Sequence, residues 1–424
     1  MKKVFFLVFS VITVQAQNIN FEAKGLLFLN DGDFNPYSFG TGIVKKDKMA
    51  TDKIGSFVFP LELDEEGNEQ TVSNSALDAF KNIAIKSDHR ICYVLESHNS
   101  FKKDAAGQEY NLKSTPDGNF VSVVDITNLR NVKPGYRFQV APNPKSLALS
   151  KDNKYLAVAA EGYNQELQVF ELDETGKPVR LIQRPVALGN GTISDVVWHP
   201  TEDFLVFLKK ETREIGLVKV LRDGPTGNII RLELVGNTIK MEGNLKAGEF
   251  TKDGKYFLVL DSRDEPGTNS LGQKGQVFVV RFSLEDNGTH ALISKAEVEE
   301  NPSAMVIHPS GKFILVTNQK KSFEYPVSKN TGKGSLSVLL LQPEGTLQNK
   351  INVSLDGVMP SGVVFDKNGN NLAVSFMQFL NFGKSTGGIQ FFNFTGGNNP
   401  KVEKQSSMIN TSKGIHSLRV IEDF

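Results

Sequence analysis

Pro302-Ser303-Ala304-Met305-Val306-Ile307-His308-Pro309-Ser310-Gly311-Lys312-Phe313-Ile314-Leu315-Val316 reads as an apolar strand, a tight polar turn and a second apolar strand. Pro, Ser and Gly supply the fixed φ, the local hydrogen bond and the left-handed backbone that such a turn demands. The rhythm recurs from Pro144 to Val158, with the turn at Ser150-Lys151-Asp152-Asn153-Lys154, and from Phe250 to Val259 around Asp253-Gly254. Weaker copies start a second strand at Ile91, Phe204 and Asn371. With Tyr155, Tyr256 and Phe313 these anchors are 49 to 64 residues apart, which divides the chain into about seven units. A third strand follows, as in Gln276–Phe282 and Ser335–Leu341, then a weaker fourth such as Lys350–Ser354. Four short strands per unit predict an all-β fold, a seven-bladed β-propeller with four-stranded blades.

Two incomplete units flank the repeat. Gly414–Ile421 alternates like a first strand with nothing after it, while Gly25–Asn30 and Ser56–Leu63 look like second and third strands lacking their first. Pairing the terminal strands would close the ring and cover two sheet edges. The predicted layout is a signal peptide over residues 1–16 and one propeller over 17–424, its seventh blade split between about 20–70 and 413–424. The signal peptide is read from the order Met1-Lys2-Lys3, the apolar run Val4–Val14 and the small-residue exit Val14-Gln15-Ala16. It implies cleavage near Ala16 and a periplasmic or extracellular protein.

Composition narrows the function classes. The 424 residues carry 48 basic and 48 acidic side chains, without the basic excess of a nucleic-acid binder. One cysteine excludes an internal disulfide and a thiolate zinc site, and Cys92, within the apolar run Ile91–Leu95, reads as a small buried hydrophobe. No later segment is apolar over membrane-spanning length, and a closed ring is expected to be a monomer. The only tryptophan, Trp198, precedes His199 instead of aspartate, so the repeat is not of the tryptophan-aspartate kind.

The copies Ser303–Val316, Ser146–Val158 and Gly248–Val259 resemble the repeats of the lactonase-type and YVTN-type seven-bladed propellers, in an exported bacterial form. That superfamily includes 6-phosphogluconolactonases and muconate-cyclising enzymes. The resemblance implies the fold and raises lactone hydrolysis as an activity. Lactonase members carry a Gly-Pro-Arg-His-like segment before an inner strand, whereas the matching stretches here read Asn190–Asp195, Gly243–Gly248 and Met359–Gly362. No catalytic residue therefore carries over from the resemblance.

Propeller geometry ranks positions directly. Long insertions follow second strands at Ser97–Gly118, Ser262–Gly275, Gln319–Gly334 and Met377–Gly387, and these gather on one face, where ligand sites are usually built. Around the channel mouth the expected binding residues are Lys81, Glu96, Lys145, Asp195, Lys209, Lys246, Asp261 and Asn318. Deeper in, where other blades have Ala84, Ala148, Val197, Val306 and Val364, two blades place Glu249 and Arg419. Charges at an otherwise apolar position are costly unless paired or used, so these are candidate catalytic residues, with His98 and His416 as candidate general bases. His199 and His308 fall in the repeat's turn and read as packing residues. No metal or other cofactor is predicted. The nearest calcium-like pattern, Asp31-Gly32-Asp33-Phe34-Asn35, has Pro36 where the loop needs Gly, and Asp261, Asp264 and Glu265 form a loose acidic group. The expected function is an exported binding or scaffold propeller holding an envelope protein, peptide or glycan at the loop-bearing face. The alternative is a lactonase-like hydrolase.

Overall fold

A computed structural model of the chain describes residues 19–32, 34–45, 51–61, 67–75, 81–99, 109–111, 115, 117–262, 272–324, 332–381 and 384–422. Among them, seven four-stranded antiparallel sheets form a ring of blades. Blade 1 is the split one, ordered Ile415–Ile421, Gly25–Asn30, Lys53–Val58 and Asn68–Thr71. The C-terminal strand pairs with Gly25–Asn30 from Ile421 opposite Gly25 to Ile415 opposite Asn30, so the ring closes as the sequence predicts. Inner strands of blades 2 to 7 are Ile83–Ile85, Ser146–Leu149, Ile193–Trp198, Leu245–Phe250, Pro302–Ile307 and Val358–Phe365. The signal-peptide expectation falls on residues 1–16, outside the described residues.

Each blade packs both faces on its neighbours, which explains the patterning. Second strands such as Phe313–Asn318 and Phe204–Lys209 are buried along their whole length, while the fourth strand Leu347–Ser354 is mostly half-buried or exposed. Apolar clusters fill the seven blade interfaces; one joins Tyr155, Leu205 and Trp198 of blades 3 and 4, another Phe28, Phe391 and Leu418 of blades 7 and 1. Burial at about 25 cal/mol per Å² of apolar surface makes these interfaces the main source of stability. Cys92 is fully buried among them, and burial pushes its thiol well above the usual range.

The repeat's turn has a conformational reason for its residues. The position two before each anchor has positive φ at Gly254, Gly311 and Gly369, and Asn153 and His89 take it in blades 3 and 2. The turn histidines tie blades together: Nε2 of His199 lies 3.2 Å from the Gly254 carbonyl and Nε2 of His308 3.0 Å from that of Gly369, each in the next blade. Nδ1 accepts the backbone N–H of Glu202 or Ser310 at 3.0 Å, so both rings serve as neutral packing residues.

Candidate functional site

The inner strands of blades 1 and 4 to 7 each begin with a bulge, which inserts one residue and re-aims its side chain. The residues at these bulges are His416, Ser194, Lys246, Ser303 and Ser361. The three serines do not present their hydroxyls to a ligand. Ser194 donates to the Leu245 carbonyl at 3.1 Å, Ser303 to Pro360 at 2.6 Å and Ser361 to Ile415 at 3.0 Å, stapling each blade to the next.

Many of the residues expected at the mouth are likewise committed to the scaffold. Lys145 is 3 % exposed and donates to Asn143 Oδ1 at 2.7 Å, with Glu161 at 3.8 Å. Lys209 donates to the carbonyls of Leu188 and Asn190 at 2.5 and 3.2 Å. Asn318 is buried and bonds Ser335 and Ser337, and Asp261 accepts the Asn244 N–H at 2.6 Å. Glu96 is buried 3.9 Å from Arg137; burial holds its carboxyl above the usual range against the opposing pull of Ser73 and Arg137. His98 ends its strand opposite Asp117, and Lys246 is half-buried.

His416 sits in an amide cage. Its Nε2 lies 2.7 Å from Asn74 Oδ1 and its Nδ1 3.2 Å from Asn82 Nδ2, while Ser417 donates to Asn82 Oδ1 at 2.6 Å. These contacts define one tautomer, with Nε2–H donating and Nδ1 accepting. Burial lowers its pKa to about 3, so the ring is neutral at physiological pH and already uses both nitrogens. It ties the closing strand to the segment that leads from blade 1 into blade 2.

The channel itself brings together four predicted residues from four blades. Lys81 reaches from blade 2 across the ring, placing Nζ 3.0 Å from Asp195 Oδ2 of blade 4 and donating to the Gly248 carbonyl of blade 5. Asp195 Oδ2 also accepts the Gly248 N–H at 2.7 Å. The next residue is Glu249, which feels the charges of Lys81, Asp195 and, from blade 1, Arg419. Burial raises the Glu249 pKa and Asp195 adds to that, outweighing the two cations. Burial by the same walls disfavours the charge on Arg419 and lowers its pKa, an effect that Glu249 only partly offsets. Both side chains keep some accessible surface, because the channel wall surrounds them without sealing them off. Among the described residues Glu249 makes no hydrogen bond or ion pair, and Arg419 donates only to its neighbour's carbonyl, Leu418, at 2.8 Å. A carboxylate and a guanidinium are thus held on different walls, coupled but not joined.

One element of the loop-bearing face was not foreseen. Helix Pro36–Thr41 follows the second strand of blade 1, capped by Asn35, whose side chain accepts the Tyr37 N–H, and ended by Gly42 at φ 70°. Asn before Pro, with Gly six residues later, is the start-and-stop signature that would have found it. Phe34, just ahead of this helix, and Phe39 within it pack with Phe323, Val358, Met359 and Met377 of blades 6 and 7. Ile43–Lys45 then pairs with Glu109–Asn111 of the blade 2 insertion, so a cap spans blades 6, 7, 1 and 2. Asp31 in the calcium-like stretch instead accepts the Phe34 N–H at 2.9 Å, and Asp52 accepts the Gly32 N–H at 3.2 Å. Asp33, Asp264 and Glu265 lie outside the described residues. Among the described residues no group of three or more His, Cys, Asp or Glu is placed to hold a metal ion, and no helix is long and apolar enough to cross a membrane.

Solved structures share this seven-bladed architecture. A candidate 6-phosphogluconolactonase from Bacteroides fragilis superposes with a TM-score of 0.60 at 15 % identity, covering 94 % of this chain and 98 % of its own. The periplasmic gluconolactonase of Pseudomonas aeruginosa gives 0.60 at 16 % identity, covering 93 % and 99 %. A protein from Lactobacillus plantarum gives 0.61 at 11 %, covering 94 % and 100 %. No protein-family profile matches the sequence, and no curated protein matches it. At these identities the likeness establishes the fold alone.

Proposed function

We propose that the protein is a binding propeller that holds a small polar ligand in its channel between Glu249 and Arg419. The observation carrying this reading is the pair of opposite charges at a ring position that is Ala or Val in the other five blades, coupled across the channel without contact. Separated, half-buried charges bear a desolvation cost that direct contact would partly offset. A ligand with an acceptor for Arg419 and a hydroxyl for Glu249 offsets it instead, and a sugar-derived acid or its lactone has both. The basic, apolar and small-residue order of residues 1–16 supports action outside the cytoplasm.

Glu249 itself favours a second reading, lactone hydrolysis. A carboxylate with a raised pKa is a better general base near neutrality. It would take a proton from a water whose oxygen attacks the lactone carbonyl carbon, with Arg419 and Lys81 facing the resulting oxyanion. Collapse would break the ring C–O bond and return the proton to the ring oxygen, giving the hydroxy acid. The two gluconolactonase-type structural neighbours, from Bacteroides fragilis and Pseudomonas aeruginosa, agree with this substrate class.

Calorimetry with gluconate, and base-uptake assays with glucono-δ-lactone at pH 7, test both readings on wild type, Glu249→Gln and Arg419→Met. Binding that weakens at least tenfold in Arg419→Met supports the channel site. Turnover lost in Glu249→Gln with binding retained supports hydrolysis. Unaltered binding in both variants, or none in wild type, refutes the channel site for this ligand class.

A further inference from the structure

We propose a second binding site, independent of the channel, in a groove on the rim of blade 3 that takes a neutral oligosaccharide. The groove has a volume of about 550 Å³, within the range of small-ligand sites. It lies where the outer strand Pro178–Ile182 runs out into the crossing to blade 4, beside the loop that follows the second strand of blade 3.

The charged groups at this groove serve to build it. Arg184 donates to the Gly189 carbonyl at 2.9 Å and to Asn164 Oδ1 at 2.5 Å, and its Nε lies 3.4 Å from the buried carboxylate of Glu166. Lys209 holds the same loop from beneath through the Leu188 carbonyl at 2.5 Å. Both cations are therefore occupied, and no carboxylate lines the groove. A ligand that fits needs no charge.

Side-chain amides provide the recognition chemistry. Gln168 lines the groove at 7 % exposure, and its Oε1 accepts the Ala141 N–H at 2.7 Å, which fixes the amide. Its Nε2 donates to nothing among the described residues, and the same holds for the amide nitrogens of Asn164, Gln183 and Asn190 on the same wall. Gln168 therefore presents a fixed, unused N–H donor at the groove to an outside acceptor. Leu181 and Val186 add apolar surface that is 54 % and 84 % exposed, and Tyr163, 74 % exposed, stands on the adjoining loop. Hydroxyl and ring oxygens interleaved with C–H faces match unpaired amide donors beside exposed aliphatic and aromatic surface.

Affinity electrophoresis of the whole chain through gels holding soluble neutral glucan, xylan or mannan, with polygalacturonate as the anionic control, tests the site. Retardation by at least one neutral polymer is expected. Gln168→Leu should weaken it about tenfold, as loss of one hydrogen bond to the ligand implies. Val186→Asp, on a side chain too exposed to matter for folding, should abolish it, and Glu249→Gln should leave it unchanged. No retardation by any neutral polymer, retardation by polygalacturonate alone, or retardation surviving both groove variants would overturn the proposal.

Discussion

Acidification should loosen the ring at its seam, and His416 sets the size of the effect. The folded state holds this ring neutral, with Nδ1 accepting from Asn82 and Nε2 donating to Asn74. Its pKa falls from 6.5 to about 3 on burial, so below pH 6.5 the unfolded chain takes up the proton first. The stabilisation is complete above the unfolded pKa and is lost progressively as pH falls toward the folded one. At 1.36 kcal/mol per unit, the full span amounts to about 5 kcal/mol, reached only below pH 3, of which about 2 kcal/mol is lost between pH 7.5 and pH 5. Stopping at pH 5 keeps most of the surface carboxylates ionised and out of the comparison. His199, His290 and His308 also have lowered pKa values from burial, so wild type alone does not isolate the seam. His416→Gln does: its amide can donate to Asn74 and accept from Asn82, yet it does not titrate. Urea unfolding at the two pH values should give a stability loss about 2 kcal/mol larger in wild type than in the variant. Equal losses in the two proteins would refute the reasoning, whatever the absolute stabilities.

Two further outcomes follow from the channel and the closure. Lys81→Met leaves Asp195, 1 % exposed, without its cation, and should cost about 3–5 kcal/mol in urea unfolding, with much of it recovered in the double variant Lys81→Met/Asp195→Asn. An additive double variant would mean that the strut is not a unit. Deletion of Gly414–Phe424 removes the inner strand of blade 1 and exposes the edge of Gly25–Asn30, so the protein should lose its cooperative transition or aggregate; a truncation that melts like wild type would refute closure.

The fold was legible because the repeat compares the sequence with itself. One turn in which Gly311, Gly254 and Gly369 recur at the same offset fixed the blade length, and the blade length exposed the unmatched strands at the ends. The same comparison singled out Glu249 and Arg419, since an outlier needs only a norm to stand against. Partnership was not legible. Lys81 meets Gly248 across 167 residues and His416 meets Asn74 across 342, distances at which only ring closure sets the geometry. Ser194, Ser303 and Ser361 show the same limit, because the sequence does not say that a hydroxyl at the bulge of an inner strand will bond the next blade's carbonyl.

Polar residues in this ring therefore separate by what their hydrogen bonds are for. Those that face a neighbouring blade find a partner on it, because a repeat places the same carbonyl within reach at every interface. Others keep a polar atom unused toward open space, among them Glu249 and Arg419 inside the ring and Gln168 where blade 3 runs out into its crossing. A substitution at a staple such as Ser303→Ala should cost about 1 kcal/mol of stability and leave ligand binding intact. Glu249→Gln should do the reverse, because the Glu249 side chain has no native hydrogen bond or ion pair among the described residues to lose, whereas Gln168→Leu also forfeits the bond to the Ala141 N–H and should cost some stability beside binding. A thermal scan and a binding isotherm on the same variants distinguish the two classes, and a Glu249 variant that loses stability in proportion to binding would return that residue to the scaffold.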